Sequence, residues 1–490
     1  MVVSSIILLA IPQLATKRNP QLPPNIVIIL VDDLGQRDIE PYGSTFYETP
    51  NLTKLARQGA MFTDAYSACS VCSPTRASLL TGKYPQRTGI TDYAGAPTDP
   101  KAWKANTKNL PAPTSDRLET SFVTIAELVK PKGYKTFFAG KWHVGGAGFG
   151  PLNQGFDVNK GGSDRGGPYT GNKYFSPYDN ATLPDGPVGE QIDNRLGMET
   201  AKFIRENKDR PFFAMCATFG VHTPLMAKPN LLAKYREKRK RLQLTDQWIQ
   251  DGFREIRQTQ DEPVYAGMVE AVDESVGLIM ESLRECDLER DTLLIFTSDN
   301  GGLSTSEGWP TSNVPNRGGK GWMYEGGIRV PLIIRWPGVT KANSHVKTPA
   351  ISFDFFPTVA SILGDKPALQ SSDGVDLKAI LQGKQSRTRD IFWAYPHYGN
   401  QGGEPASAVR RGNWKLIEFE EDGRTELYDL AKDPGEMNDL AKSQPKIVAQ
   451  LKASLATWRT KVGAISSSPN PAFDQTKPNG RISTRNTKKG

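Results

Sequence analysis

Hydrophobic positions in this chain fall into two patterns. Asn25 to Val31, Pro211 to Phe219 and Thr292 to Thr297 are apolar or β-branched almost without interruption, and Tyr134 to Ala139 reads as a fourth strand. Continuous runs of strand length mark strands covered on both faces, as in a parallel sheet. A shorter strand is expected from Met61 to Ala65. The second pattern is helical: Val269, Val272, Val276, Ile279 and Leu283 recur at helical spacing within Pro263 to Arg284. Helices are also predicted from Thr49-Pro50 to Gly59, over Thr120 to Lys130, over Asp193 to Asn207, and from Asp354 to Gly364. The segments Lys83 to Leu118 and Gly145 to Pro187 are rich in Gly, Pro, Thr and Asn and read as loop.

After about Ser386 the pattern changes. Short strands are predicted at Ile391 to Tyr395, Ala408-Val409, Trp414 to Phe419 and Glu426 to Tyr428, with a hairpin turn at Asp422-Gly423 and a packing helix from Ile447 to Trp458. The fold class is α/β: a large, mixed, mostly parallel sheet sandwiched by helices over 21–385, then a small α+β subdomain with a short antiparallel sheet over 386–463. The Ser/Pro/Asn-rich basic stretch 464–490 is expected to be a disordered tail.

Composition narrows this picture. The 490 residues suit one large domain and a smaller one, and the net charge is +8. Half of that excess falls in the last stretch, where Lys477, Arg481, Arg485, Lys488 and Lys489 oppose Asp474. The mildly basic body suits an anionic substrate, and no nucleic-acid-binding signature is present. Four cysteines are too few for a disulfide framework. Ile6 to Ile11 is apolar but too short to span a bilayer. With Gln13-Leu14-Ala15 as a cleavage context it predicts a signal peptide or N-terminal arm over 1–20, hence a periplasmic or secreted protein with no integral membrane segment, although no basic residue precedes it.

The chemistry collects where the strands end. Asp32-Asp33 follow the first strand, Lys141 and His143 the second, His222 the third, and Asp299-Asn300 the fourth. Open α/β sheets bind ligands beyond the carboxyl ends of their strands. Adjacent carboxylates repel each other, and a hard divalent cation would offset that. Between the first two strands lies Cys72-Ser73-Pro74-Thr75-Arg76, followed by Leu79 to Gly82. Pro74 suits the first turn of a helix and Ser73 its cap, which would put Cys72 just ahead of a helix N-terminus with Arg76 one turn in. Such an end favours an anion.

These motifs, in this order, resemble the type I, formylglycine-dependent sulfatases of the alkaline phosphatase superfamily. Cys72 to Arg76 with Leu-Thr-Gly is similar to the family signature, Asn25 to Gly35 to its opening strand, and Gly140-Lys141-Trp142-His143 and Val221-His222-Thr223-Pro224 to further family motifs. Gly318 to Pro331, carrying Lys320, is similar to the family's downstream block. The resemblance implies that Cys72 is converted to 3-oxoalanine (formylglycine) by a maturing enzyme acting on Cys72 to Arg76. It implies one Ca2+ held by Asp32, Asp33, Asp299, Asn300 and residue 72, with Arg76, Lys141, His143, His222 and Lys320 as the other catalytic groups. Sulfate monoester hydrolysis is then the expected reaction.

Pro151 to Asp157 resembles sulfatases acting on galactose or N-acetylgalactosamine sulfates, so a sulfated carbohydrate is the expected substrate. Ser163, Arg165 and His397 are the candidate sugar contacts. Two alternatives stand beside this reading: a related phosphoesterase or phosphonate monoester hydrolase, and a non-catalytic binder of sulfated glycans.

Overall fold

The computed structural model describes residues 22–384 and 389–481. The eight-stranded sheet contains β1 (Asn25–Val31), β2 (Ala60–Phe62), β3 (Lys135–Gly140), β4 (Val158–Lys160), β5 (Phe212–Ala217), β6 (Thr292–Ser298), β7 (Leu332–Arg335) and β8 (Ser344–Val346). Across the sheet the order is β8-β2-β7-β6-β1-β5-β3-β4. β1 lies at the centre, parallel to β6 on one side and to β5 on the other. Only β7 runs against its neighbours β6 and β2.

The continuous apolar runs are explained by helices on both faces. Side chains alternate along a strand. Val27, Ile29 and Val31 of β1 face one core with α1 (Pro50–Gln58), α3 (Ile192–Glu206) and α5 (Pro263–Glu285). Ile26, Ile28 and Leu30 face a second core with α2 (Cys72–Thr81) and α6 (Phe355–Leu363). The basic stretch Lys234 to Arg241 lies on α4 (Pro229–Arg241), where Lys234 and Lys238 pair with Glu48, and Arg239 with Asp246 and Asp261.

The C-terminal part is an antiparallel meander of β9 (Asp390–Tyr395), β10 (Ala406–Arg411), β11 (Trp414–Phe419) and β12 (Thr425–Asp429), backed by α7 (Pro445–Val462). Its core includes Tyr66, Val71 and Trp322, so this small sheet abuts the segment leading into α2.

Three expectations need correction. α2 starts at Cys72, with Val71 as an extended N-cap, so Cys72 is inside the helix and Ser73 is not the cap. Pro74 loses nothing at the third helical position, because the first four N–H groups of a helix have no partner within it. The strand expected over Met61 to Ala65 divides between β2 and a two-residue strand, Ala65–Tyr66, paired with Ala350–Ile351. The stretch expected to be a disordered tail is packed as far as residue 481. Ser468–Pro469 pairs with Asn109–Leu110, the Asn106 amide donates to the Asp474 carbonyl at 2.9 Å, and Arg481 meets Glu404 at 2.9 Å. Polar side-chain and main-chain bonds, which a hydropathy pattern does not display, hold it there. The apolar segment Ile6 to Ile11 and residues 482–490 of the tail lie outside the described residues. Among the described residues no helix is long and apolar enough to cross a membrane.

Candidate active site

Every strand that delivers a functional residue does so at its carboxyl end. β1 runs straight into Asp32 and Asp33, and the loops around it are tied in by backbone bonds: Asp32 N–H to the Gly220 carbonyl at 3.1 Å, and Val221 N–H to the Asp32 carbonyl at 2.7 Å. β3 ends at Gly140, whose φ is +96°. A Cβ there would stand 1.8 Å from the Ala217 carbonyl oxygen, so only glycine lets the chain turn and place Lys141. Asp33 and His143 are themselves left-handed, at φ 60° and 57°. Non-glycine residues in that region carry strain that the surroundings must hold, and such residues concentrate at functional sites. Lys141 and His143 therefore reach the site through a turn beyond β3, not along an extended strand.

Three buried carboxylates face three buried cations. One oxygen from each of Asp32, Asp33 and Asp299 lies within 4.8 Å of the other two. Lys141 Nζ donates to both Asp32 oxygens, at 2.9 and 2.7 Å. Arg76 donates through Nε to Asp299 at 2.9 Å and lies 3.6 Å from Asp32. Lys320 Nζ donates to Asp33 at 2.9 Å. Burial alone would raise the Asp33 carboxyl, but Lys320, His222 and Lys141 together hold it well below the ordinary carboxylate range. Burial outweighs Arg76 at Asp299 and pushes that carboxyl up to about 6. Lys320 is disfavoured by burial and restored by Asp33 and Glu307, which keep it an ammonium.

The donor set fits a hard cation. Asn300 Nδ2 donates to Asp33 Oδ1 at 2.8 Å, yet Asn300 Oδ1 is fully buried with no hydrogen-bond partner among the described residues. A buried amide oxygen left unpaired costs roughly 1–3 kcal/mol. Beside three carboxylates it completes an all-oxygen ligand set of the kind calcium takes.

Cys72 stands next to His143, with Sγ 3.3 Å from Nδ1. The other ring nitrogen, Nε2, donates to the Ala94 carbonyl at 2.9 Å. A carbonyl only accepts, so Nε2 carries the proton and Nδ1 presents a lone pair towards Cys72 and Ser73. Burial, Lys141 and Arg76 push His143 well below the ordinary imidazole value, so it is neutral. Burial likewise raises the Cys72 thiol. An unmodified cysteine here is therefore a protonated thiol, not a ready nucleophile. His222 carries its proton on Nδ1, donated to the Thr223 carbonyl at 2.8 Å, and turns Nε2 towards Asp33 at 3.7 Å. Burial and Lys320 lower it to about 4.

The candidate sugar contacts fare differently. Ser163 accepts the His143 N–H through its carbonyl at 3.0 Å, so it positions the histidine from the backbone. Arg165 is exposed on a loop cavity of about 610 Å³ that Ser163 also lines. His397 is not a surface residue. It is 1% exposed, bonded to Thr91 Oγ1 at 2.9 Å and 3.7 Å from Asp92, beyond reach of any substrate. An isolated histidine in a loop between predicted strands gave no sign of which way it faced.

The structure adds residues that the motifs did not suggest. Glu307 has an oxygen within 4.8 Å of ligand atoms of both Asp33 and His222. Tyr169 is half exposed, with its hydroxyl 3.4 Å from His222 Nδ1. Tyr93, also largely exposed, lies on the same loop as Ala94. One signal for Glu307 was on the page: it is the single acid between Asn300 and Lys320.

The comparisons with known proteins agree with this geometry. The sulfatase family model matches residues 24–365, and the model of the N-sulphoglucosamine sulphohydrolase C-terminal region matches 319–461. A sulfatase of Formosa agariphila is 30% identical over 92% of this chain and 91% of its own length. N-acetylgalactosamine-6-sulfatase of Sus scrofa is 32% identical over 76% of this chain and 68% of its own. The solved structure of Ps i-CgsB in complex with k-i-k-neocarrahexaose superposes with a TM-score of 0.72 at 28% identity, covering 89% of this chain and 92% of that one. Strand-end aspartates, a cysteine on a helix start and matches along nearly the whole chain lead to one assignment: this chain belongs to the sulfatase family and is a sulfatase, a hydrolase of sulfuric esters.

Proposed function

We propose that this sulfatase removes sulfate from sulfated carbohydrates, using formylglycine at position 72 and one calcium ion. The observation that carries the reading is the pairing of Asn300, whose amide donates to Asp33 of the three-carboxylate cluster and whose Oδ1 is buried and unbonded among the described residues, with a Cys72 side chain set against the lone pair of a neutral His143. Calcium, when bound, supplies a positive centre that draws charge from a sulfate oxygen. A hydrated aldehyde at residue 72 supplies an oxygen nucleophile with a second hydroxyl available for release of sulfate.

The chain's own residues supply the rest. Lys141 and Arg76 place fixed positive charge beside the anion, where water is excluded and each interaction is strengthened. His143 Nδ1 takes up a proton on the residue-72 side and passes none back through Nε2, which is tied to Ala94. Lys320 holds a proton at Nζ and is the donor for the departing oxygen, because neutral His222 has its proton on Nδ1, turned towards Thr223. His222 orients that oxygen from the same side.

A carbohydrate substrate is supported by the exposed rings of Tyr93 and Tyr169, which offer flat apolar faces to a sugar ring, and by the cavity at Ser163 and Arg165. It is also supported by the relatives, one named for N-acetylgalactosamine and one solved in complex with k-i-k-neocarrahexaose. Residues 72–76 are all buried, so the maturing enzyme must meet them before the chain folds. The N-terminal apolar stretch fits that order of events in a chain exported to the periplasm or beyond.

The test is the mass of the Cys72 peptide from protein co-expressed with a maturing enzyme. A hydrazine-reactive species resistant to thiol alkylation supports the reading. An intact, alkylatable thiol in a preparation that still turns over sulfate esters defeats it.

A further inference from the structure

We propose that Glu307 reads the leaving sugar. In this proposal its Oε2 accepts a hydrogen bond from the free hydroxyl nearest the sulfate ester and turns away sugars that carry a second sulfate there. This rests on the carbohydrate reading above and adds to it a rule about the substrate.

The two oxygens of Glu307 are treated differently. Oε1 is held by two amides from the C-terminal subdomain, Asn400 Nδ2 at 3.0 Å and Gln401 Nε2 at 2.6 Å. Among the described residues Oε2 accepts no hydrogen bond, and the cation beside it, Lys320 Nζ, is 3.9 Å away and already bonded to Asp33. The carboxylate is 17% exposed, while Asp33 and Lys320 beside it are sealed. One oxygen is thus anchored and the other is presented on the side of the site where Lys320 and His222 meet the departing oxygen.

The backbone is forced to make this presentation. Glu307, Gly308 and Trp309 are all left-handed, with φ of 53°, 92° and 46°. Non-glycine residues in that region carry backbone strain that the surroundings must hold. The strain is held from outside: Trp309 Nε1 donates to the Glu255 carbonyl at 3.0 Å, and Arg257 donates to the Trp309 carbonyl at 2.8 Å. Three separate segments of the chain therefore converge to fix one carboxylate.

An ionised carboxylate only accepts hydrogen bonds. A hydroxyl on the carbon beside the ester can donate to it, and such a bond to a charged group is worth about 1.5–3 kcal/mol. A sulfate in place of that hydroxyl has no proton to give and carries the same charge. The group that favours one substrate therefore repels the other.

The test compares matured wild type and Glu307→Gln, with calcium, on four probes. These are 4-nitrophenyl sulfate, the monosulfated methyl galactoside or N-acetylgalactosaminide best turned over by wild type, its deoxy analogue lacking the nearest hydroxyl, and its disulfated analogue. The expected result is a loss of about 10–100-fold in kcat/KM on the monosulfate, the equivalent of that bond. The loss on 4-nitrophenyl sulfate should be much smaller than that on the monosulfate, because Asp33 still holds Lys320 as the donor, the deoxy analogue should suffer no further loss, and the disulfate should improve relative to the monosulfate. A structural defect would not reverse the preference between two substrates. An equal loss on 4-nitrophenyl sulfate and on the sugar would overturn the proposal, because Glu307 would then act on the reacting centre. Should Glu307→Gln fail to fold, Asn400→Ala, at an exposed position, carries the test: a smaller loss confined to sugar probes supports the proposal, and an even or absent loss overturns it. Wild type that hydrolyses 4-nitrophenyl sulfate but none of the sulfated sugars would remove the carbohydrate reading and this proposal with it.

Discussion

Two buried clusters in this protein contain the same charges and do opposite things. The active site has Asp32, Asp33 and Asp299 against Lys141, Lys320 and Arg76. The seam between the large sheet and the C-terminal meander has Glu325, Glu436 and Asp64 against Lys415, Arg329 and Arg410. At the seam, every group closes on another. Lys415 bridges Glu325 at 3.0 Å and Glu436 at 2.8 Å, the Glu325 N–H donates to Glu436 at 2.6 Å, and the Tyr66 hydroxyl donates to Glu325 at 2.8 Å. Left-handed backbone occurs in both, at Asp33 and His143 in the site and at Glu436 in the seam, but among the described residues Asn300 Oδ1 in the site has no hydrogen-bond partner, and Glu307 presents a free oxygen. Charge balance alone does not separate a structural cluster from a catalytic one. What separates them is whether the groups satisfy one another or leave an oxygen open for something that arrives later.

The sharpest way to break this comparison is to change one residue in each cluster. Cys72→Ser is nearly isosteric and takes part in none of the ion pairs. It should cost about 10⁴-fold or more in kcat, as loss of a nucleophile does, and leave the thermal midpoint essentially in place. Lys415→Met should do the reverse. It strips Glu436 of its cation and leaves Glu325 to Arg329, a loss of about 3–5 kcal/mol, while the kcat of the molecules that remain folded is unchanged. Chemical denaturation with activity measured on the folded fraction checks both. If Lys415→Met impairs turnover as strongly as stability, the seam is part of the site and the contrast is false.

The next effect is smaller and concerns the unsatisfied oxygens. A ligand that binds only the folded state stabilises it by about 2.7 kcal/mol at a hundred times its dissociation constant. Calcium should therefore raise the thermal midpoint of the wild type, and a chelator should lower it. Asn300→Leu, which removes the orphaned oxygen, should flatten that response. A midpoint indifferent to calcium in both proteins would leave Asn300 Oδ1 without a role.

The contrast also marks what the sequence could disclose. Continuous apolar runs announced the strands, and polar residues just beyond them announced the site, because a sheet delivers its ligands at strand ends. The seam was invisible: Glu325, Lys415 and Glu436 come from three separate segments, and only the fold brings them together. Glu307 was missed for the same reason, since Asn400 and Gln401 reach it from far along the chain. The helix start was misplaced by two residues because Pro74 is tolerated at several first-turn positions. The last stretch was misread because hydropathy does not count the bonds that hold Asn106 to the chain near Asp474.

The smallest effect comes from a third buried pair, which resolves its charge by giving it up. Burial pushes His397 down to about 3 and Asp92 up to about 7, so both are neutral in the folded protein between those values. Unfolded, near pH 5, the histidine is charged and the aspartate ionised. Each state then holds one proton on the pair, and stability should be nearly independent of pH across that window. Removing one partner exposes the other. In Asp92→Asn the unfolded chain binds a proton at His397 that the folded protein does not. Stability should then fall as pH drops from 6.5, by about 1–2 kcal/mol at pH 5 relative to wild type. In His397→Gln the folded protein keeps the Asp92 proton that the unfolded chain has lost, so stability should instead fall by a similar amount as pH rises from 5 to 6.5. Thermal midpoints of the three proteins across that range give the measurement. Opposite slopes in the two variants about a flatter wild type would establish a neutral pair, whereas parallel profiles would mean that Asp92 and His397 keep their charges and belong with the seam.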